Sequence, residues 1–310
     1  MRTGRGQLSA VSVDGKVYAI GGARWPDGEF TPDSLVEQYD PASDTWRGRH
    51  DMTLERITDT SSTVVEGKIY TVGGLGPDVD AFTAVEVYDP NRNRWEWLED
   101  SPMPSGRANF PAVTVDGTIY TFGGGENGVG TSDVESYDPS ADEWEILGPL
   151  PTPLMSAAAA AVDGVIYVMG GETGAWMIGP VVADTHAYNP ATDTWLPRAD
   201  MPTPRMAAST AVVGDRIYVV GGLDQTQNET ATVEIYSPTN NTWELGVDMP
   251  SPRVWHDSTA VDGHIYVMGG YGITALYEFD TGHGAEADPR AVNAGGRLPE
   301  RWGALKVGGK

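Results

Sequence analysis

Arginine recurs along this chain at Arg5, Arg56, Arg107, Arg205 and Arg253, at intervals of about 50 residues or twice that. Five guanidinium groups brought to one mouth would form a positive funnel for carboxylates or phosphates. A second series answers the first: Glu37, Glu86, Glu135 and Glu234. Between the third and fourth arginines both series lapse together, with Leu154 at the arginine position and His186 at the glutamate position. Joint loss is what an arginine–glutamate pair inside the scaffold would produce, because half of a buried pair is costly to keep. Scaffold pair and ligand funnel both remain open for these residues. At the end of the series Arg253 persists while Tyr277 stands opposite, which leaves Arg253 the guanidinium most available to a ligand.

The residues that follow Arg253 are unusual. Trp255-His256-Asp257 stands where the matching stretches carry mostly small residues, apart from Asp59-Thr60 and Asn109-Phe110. His256 with Asp257 and Asp59 is the candidate acid–base set, since imidazole titrates near neutral pH. His256 and Asp257 are adjacent, so in a strand they point to opposite faces and form no simple dyad. A hydrogen-bonded structural histidine is the blander reading. Trp25, Trp176 and Trp255 lie outside the periodic tryptophans described next, and exposed aromatics suit stacking on a sugar or anchoring a protein interface. The competing reading is that Trp25 and Trp176 pin their own loops.

The elements that must position these groups are written as a repeat. Gly-Gly pairs occur at Gly21, Gly73, Gly123, Gly170, Gly221 and Gly269, each with a tyrosine three residues earlier (Tyr18, Tyr70, Tyr120, Tyr167, Tyr218 and Tyr266). A second aromatic follows at Tyr39, Tyr88, Tyr137, Tyr188, Tyr236 and Phe279, with Trp46, Trp95, Trp144, Trp195 and Trp243 seven residues beyond the first five. Each unit reads as a four-stranded antiparallel meander, a to d. Asp-Gly between apolar runs marks the a–b hairpin, and Asp-Pro or Asn-Pro ends strand c because proline cannot extend the pairing. The double glycine, tyrosine and spaced tryptophan together resemble the kelch family over roughly residues 5–280. The resemblance implies an all-β, six-bladed β-propeller forming a single domain, with strand a innermost around a channel. Blades are expected at about 1–50, 51–103, 104–151, 152–202, 203–250 and 251–310. The sixth unit lacks its tryptophan in register. Trp302, within a closing strand at 301–307 after a loop at 281–300, is the favoured substitute; the alternative is a truncated chain whose closing N-terminal strand is absent, since only four residues precede Arg5.

In such a meander the d–a and b–c connections share one face, which carries the variable loops and hence the expected binding site. The longest b–c loops run 17 residues from glycine to aromatic (Gly22 to Tyr39, Gly171 to Tyr188) and the shortest 9 (Gly270 to Phe279). The long pair holds Trp25 and Trp176, in blades that oppose each other across a six-fold ring.

Composition narrows the chemistry. A net charge of −24 argues against nucleic acid or an anionic membrane as partner. Without cysteine there is no disulfide, thiol nucleophile or thiolate site, and the cysteine-dependent copper radical oxidases among kelch relatives are ruled out as a likeness. The histidines lack metal-ligand spacing, and no phosphate-cradling motif appears, so no metal or cofactor is expected. The chain reads as soluble and monomeric, with no signal or membrane-spanning segment; a cytoplasmic setting is favoured, though a secreted form with its signal removed is compatible. The resemblance implies a binding module for a protein or for a small acidic or carbohydrate ligand. The enzymatic alternative is a sugar isomerase like the kelch-type sialic acid epimerases and mutarotases, and a third is a non-catalytic carbohydrate-binding propeller.

Overall fold

Small apolar residues, joined by serine or threonine in all but the wholly apolar Ala158–Val162, form the inner strands of six sheets at Ser9–Val13, Ser62–Val65, Ala112–Val115, Ala158–Val162, Ser209–Val213 and His256–Val261. The computed structural model describes residues 1–25, 29–59, 61–78, 80–282 and 301–304. Each sheet is a four-stranded antiparallel meander, in the order a-b-c-d. The inner strands neighbour one another in cyclic order, the first contacting the sixth, so the sheets close into a six-bladed all-β propeller. Among the described residues no helix is long and apolar enough to cross a membrane. Small inner side chains such as Ala159 and Ala160 leave a central channel of about 360 Å³.

The strand-c tyrosines and strand-d tryptophans lock blades to themselves and to their neighbours. The strand-c tyrosines are buried and donate to a turn side chain five residues on, as in Tyr88 to Asn93 (2.7 Å) and Tyr188 to Asp193 (2.8 Å). Each packs on its strand-d tryptophan, with centroids 5.0 Å apart for Tyr88–Trp95 and 4.8 Å for Tyr188–Trp195. The indole N–H then donates to the preceding blade: Trp95 to His50 O (2.8 Å), Trp243 to Ala199 O (2.8 Å). In the sixth blade Arg301–Ala304 pairs with Tyr277–Asp280, setting Trp302 opposite Phe279, and the Trp302 indole donates to Val247 O at 2.8 Å. Trp302 therefore fills the tryptophan position from further along the chain. The expected loop at 281–300 lies outside the described residues beyond Gly282, as does the expected strand beyond Ala304.

The glycine pairs are inter-blade latches. The second glycine N–H donates to the carbonyl of the residue at the next blade's arginine position: Gly22 to Arg56 (3.0 Å), Gly124 to Leu154 (2.8 Å), Gly222 to Arg253 (2.9 Å). Gly222 has φ +100°, and a Cβ there would stand 2.6 Å from Met206 O. Gly222→Ala is therefore expected to destabilise by about 1–3 kcal/mol. Urea unfolding followed by tryptophan fluorescence would measure this; an unchanged midpoint would contradict the latch.

Candidate functional site

The five arginines belong to the scaffold. Each is at most 1% exposed. Each guanidinium donates to the carbonyl of its own blade's first glycine, as in Arg5 to Gly21 (2.7 Å) and Arg205 to Gly221 (3.1 Å). Four complete a buried ion pair across to strand c: Arg5–Glu37 (3.0 Å), Arg56–Glu86, Arg107–Glu135 (2.6 Å) and Arg205–Glu234 (2.9 Å). Burial pulls the Arg56 and Arg205 guanidinium pKa values down, and the facing glutamates push them back up. Arg253, the guanidinium read from sequence as freest, is held by Gly269 O (3.1 Å) and Ala275 O (3.0 Å) and lies 3.9 Å from the centroid of the Tyr277 ring. Its partners are backbone carbonyls, both to Nη1, and a π face, while Nε and Nη2 are buried without a hydrogen-bond partner among the described residues. None of the five guanidinium groups opens onto the mouth.

Six equivalent residues turn the chain into the inner strands in the left-handed region: Gln7, Asp59, Asn109, Ser156, Ala207 and Trp255, with φ between 36° and 57°. Backbone bonds tie several around the neck, including Gln7 N–H to Trp255 O (2.7 Å) and Ser156 N–H to Asn109 O (2.7 Å). Beneath lies a cavity of only about 10 Å³, lined by Asp59, Asn109, Ser156, Ala207 and His256 among others. That volume holds about one water and no sugar.

The acid–base candidates sit at this neck. His256 is buried, and its Nε2 lies 3.1 Å from Val220 O, which assigns the proton to Nε2. Burial and then the Arg253 charge push its pKa down to about 3, so the ring is neutral and a poor acid–base group near pH 7. Asp257 faces the other way, as adjacency in a strand requires, and accepts from Ala10 N (2.7 Å) and Ser258 N (2.8 Å). Burial pushes its carboxyl up to about 8, despite those bonds and with help from the nearby Asp59 charge. Burial likewise raises Asp59 to about 6. His256 Nδ1 and Asn109 Oδ1 are buried without a hydrogen-bond partner among the described residues. Among those residues no group of three or more acidic or histidine side chains could hold a metal ion.

The surface above the neck is aromatic. Trp25 stacks on Tyr271 (centroids 4.3 Å, planes 20° apart) and lies nearly parallel to Trp255 at 6.3 Å, with Phe30 edge-on at 5.9 Å. Tyr271 is 54% exposed and Phe30 39%, so the cluster presents ring surface to solvent. Trp255 adopts φ 53°, an uncommon conformation for a bulky residue, and packs against the buried cluster of Val181, Met206, Leu223 and Val254. Trp176 does not join this cluster. Its loop leans on blade 3, with Trp176 N–H donating to Gly128 O (3.0 Å) and Ala175 bridging Val129. There Trp176 lines a cavity of about 730 Å³ with Leu75, Ala108, Asn109 and Met155. The two long loops thus serve two surfaces of one face. Tyr271 and Phe30 escaped the sequence reading; the available signal was that Tyr271, directly after Gly270, belongs to neither tyrosine series.

A ring of six such four-stranded blades defines a six-bladed β-propeller. Residues 7–222 match the family described as the KLHDC2/KLHL20/DRC7 Kelch-repeats domain, and residues 204–250 match the Kelch motif. The chain belongs to the kelch-repeat family. It is similar to Kelch-like protein 25 of Xenopus tropicalis, 30% identical over 232 residues covering 72% of this chain and 38% of that protein. Kelch-like protein 35 of Mus musculus is 27% identical over 233 residues, covering 75% and 30% respectively. The chain thus spans well under half the length of these curated relatives.

Proposed function

We propose that this propeller is a protein-interaction module that engages its partner through the face bearing the d–a and b–c loops. The observation that carries this reading is the partly exposed Trp25–Tyr271–Trp255–Phe30 cluster, which shares that face with the Trp176-lined cavity. Aromatic anchors beside a cavity are the usual energetic centres of protein interfaces. Kelch-like relatives are consistent with protein partners in general. The isomerase alternative loses support from geometry, since its candidate residues surround a space of about 10 Å³. A carbohydrate would compete for the same stacked rings and is an outcome of the test.

A random peptide library displayed on phage, selected on the immobilised chain, tests this. Enriched peptides are expected to lose about tenfold or more in affinity on Tyr271→Ala or Trp176→Ala, a truncation cost typical of an interface anchor. Absence of enrichment, or enrichment indifferent to both substitutions, would overturn the reading. A parallel glycan array giving the only Tyr271-dependent signal would replace protein with carbohydrate.

A further inference from the structure

We infer that the partner segment taken by this mouth is basic, with an arginine or lysine side chain laid against the Trp25–Tyr271 stack. The inference rests on the proposed interaction role and names its ligand chemistry. Burial of the five periodic arginines removes the positive charge that a mouth for acidic ligands would use. Across all six b–c connections, from Ala23–Leu35 to Tyr271–Leu276, Arg24 is the sole basic residue. Its guanidinium is already taken by Asp33 at 2.5 Å. The first five of these connections carry two or more carboxylates each. Among them Glu29, beside Phe30, and Asp80, at the rim of the Trp176 cavity, are exposed.

An electron-rich ring surface on a face whose loops carry exposed carboxylates attracts a cation. A guanidinium over an indole or phenol face gains about 0.5–1 kcal/mol where exposed and about 2 where desolvated. Carboxylates elsewhere on the same face steer the approach of a basic segment. An acidic ligand would meet the opposite: like charge, with the five periodic guanidinium groups buried and Arg24 paired to Asp33. The surface also differs from a merely acidic one. Carboxylates on the a–b turns, such as Asp116 and Asp262, are equally available but have no exposed aromatic stack of this kind among the described residues.

Isothermal titration at physiological salt with the acetylated, amidated peptide (Arg-Gly)5 and its citrulline, lysine and glutamate counterparts tests this directly. The arginine and lysine peptides should bind, with the uncharged citrulline peptide at least tenfold weaker and the glutamate peptide silent. Tyr271→Ala preserves net charge and should weaken the arginine peptide about tenfold, while Tyr271→Phe should retain it. Glu29→Gln with Asp80→Asn should weaken it more than Asp116→Asn with Asp262→Asn, which removes equal charge from the opposite face. Unchanged affinity in Tyr271→Ala, or equal losses from both faces, would reduce the effect to bulk charge and overturn the inference. Library peptides that need Tyr271 yet are neutral or acidic would overturn it too, leaving the interaction role intact. If no library peptide depends on the mouth, the interaction role itself fails.

Discussion

Arg56→Leu is expected to lower the free energy of unfolding by about 3–5 kcal/mol, the cost of leaving a buried charge without its partner. Arg56 and Glu86 are both fully buried and paired with each other. Glu86 also accepts from Thr53 N–H at 2.7 Å, so removal of the guanidinium strands a carboxylate that cannot turn to solvent. Leucine is the informative replacement because blade 4 already carries it. There Leu154 and His186 occupy the two positions, yet Gly124 N–H still latches to Leu154 O at 2.8 Å. The backbone latch survives without the charges. Adding Glu86→Gln to Arg56→Leu should therefore recover about 1–2 kcal/mol of the loss, a coupling of the size found for contacting residues. Equilibrium urea unfolding of the wild type, both singles and the double closes the cycle. A double variant no more stable than Arg56→Leu alone would show that the pair is not the unit of stability.

That expectation began in the sequence, and its origin marks what sequence can carry. Pairing of the arginine and glutamate series was legible because one blade had lost both members, and strand positions were legible from glycines, tyrosines and tryptophans repeated at each latch. Features made by a single contact were not. Arg253 looked free because no glutamate faced it, yet its acceptors are the carbonyls of Gly269 and Ala275, and every residue carries a carbonyl. Trp25 meets Tyr271 only because closure of the ring brings the first blade against the sixth, and no periodicity links residues so far apart. The opposition of Trp25 and Trp176 across a six-fold ring was sound as topology but silent on lean. Blade 4's loop bonds sideways to Gly128 and Val129, which carries Trp176 to its own cavity. His256 illustrates the same limit: its type left a hydrogen-bonded structural role and acid–base chemistry both open, and only the structure shows the ring buried against Val220 O with its pKa pushed down.

The neck carboxylates give the second large effect, one read through pH. Asp257 has a folded pKa of about 8 against an ordinary value of 3.8, because burial penalises its ionised form. Between those values the folded state holds a proton that the unfolded state has released, so stability contributed by this group falls as pH rises. Other groups in the range act differently. Asp59, raised to about 6, works in the same direction below that pH. His256 and the Met1 amine, lowered to about 3 and about 6 from 6.5 and 8.0, favour folding as pH rises through their own windows. The wild-type curve alone is therefore a mixture, and the clean quantity is its difference from Asp257→Asn. That variant should gain on the wild type by about 1.4 kcal/mol per pH unit between pH 5 and 7, the slope of a single linked proton. The gain should level off above about pH 8. Absolute stability may be set aside, since the new amide must meet the Ala10 and Ser258 N–H donors and the slope is unaffected by a constant offset. Urea unfolding at half-unit steps of pH measures it. A difference that is flat with pH would mean that Asp257 is ionised in the fold, held by those two N–H groups, and that the neck of the channel carries a fixed negative charge.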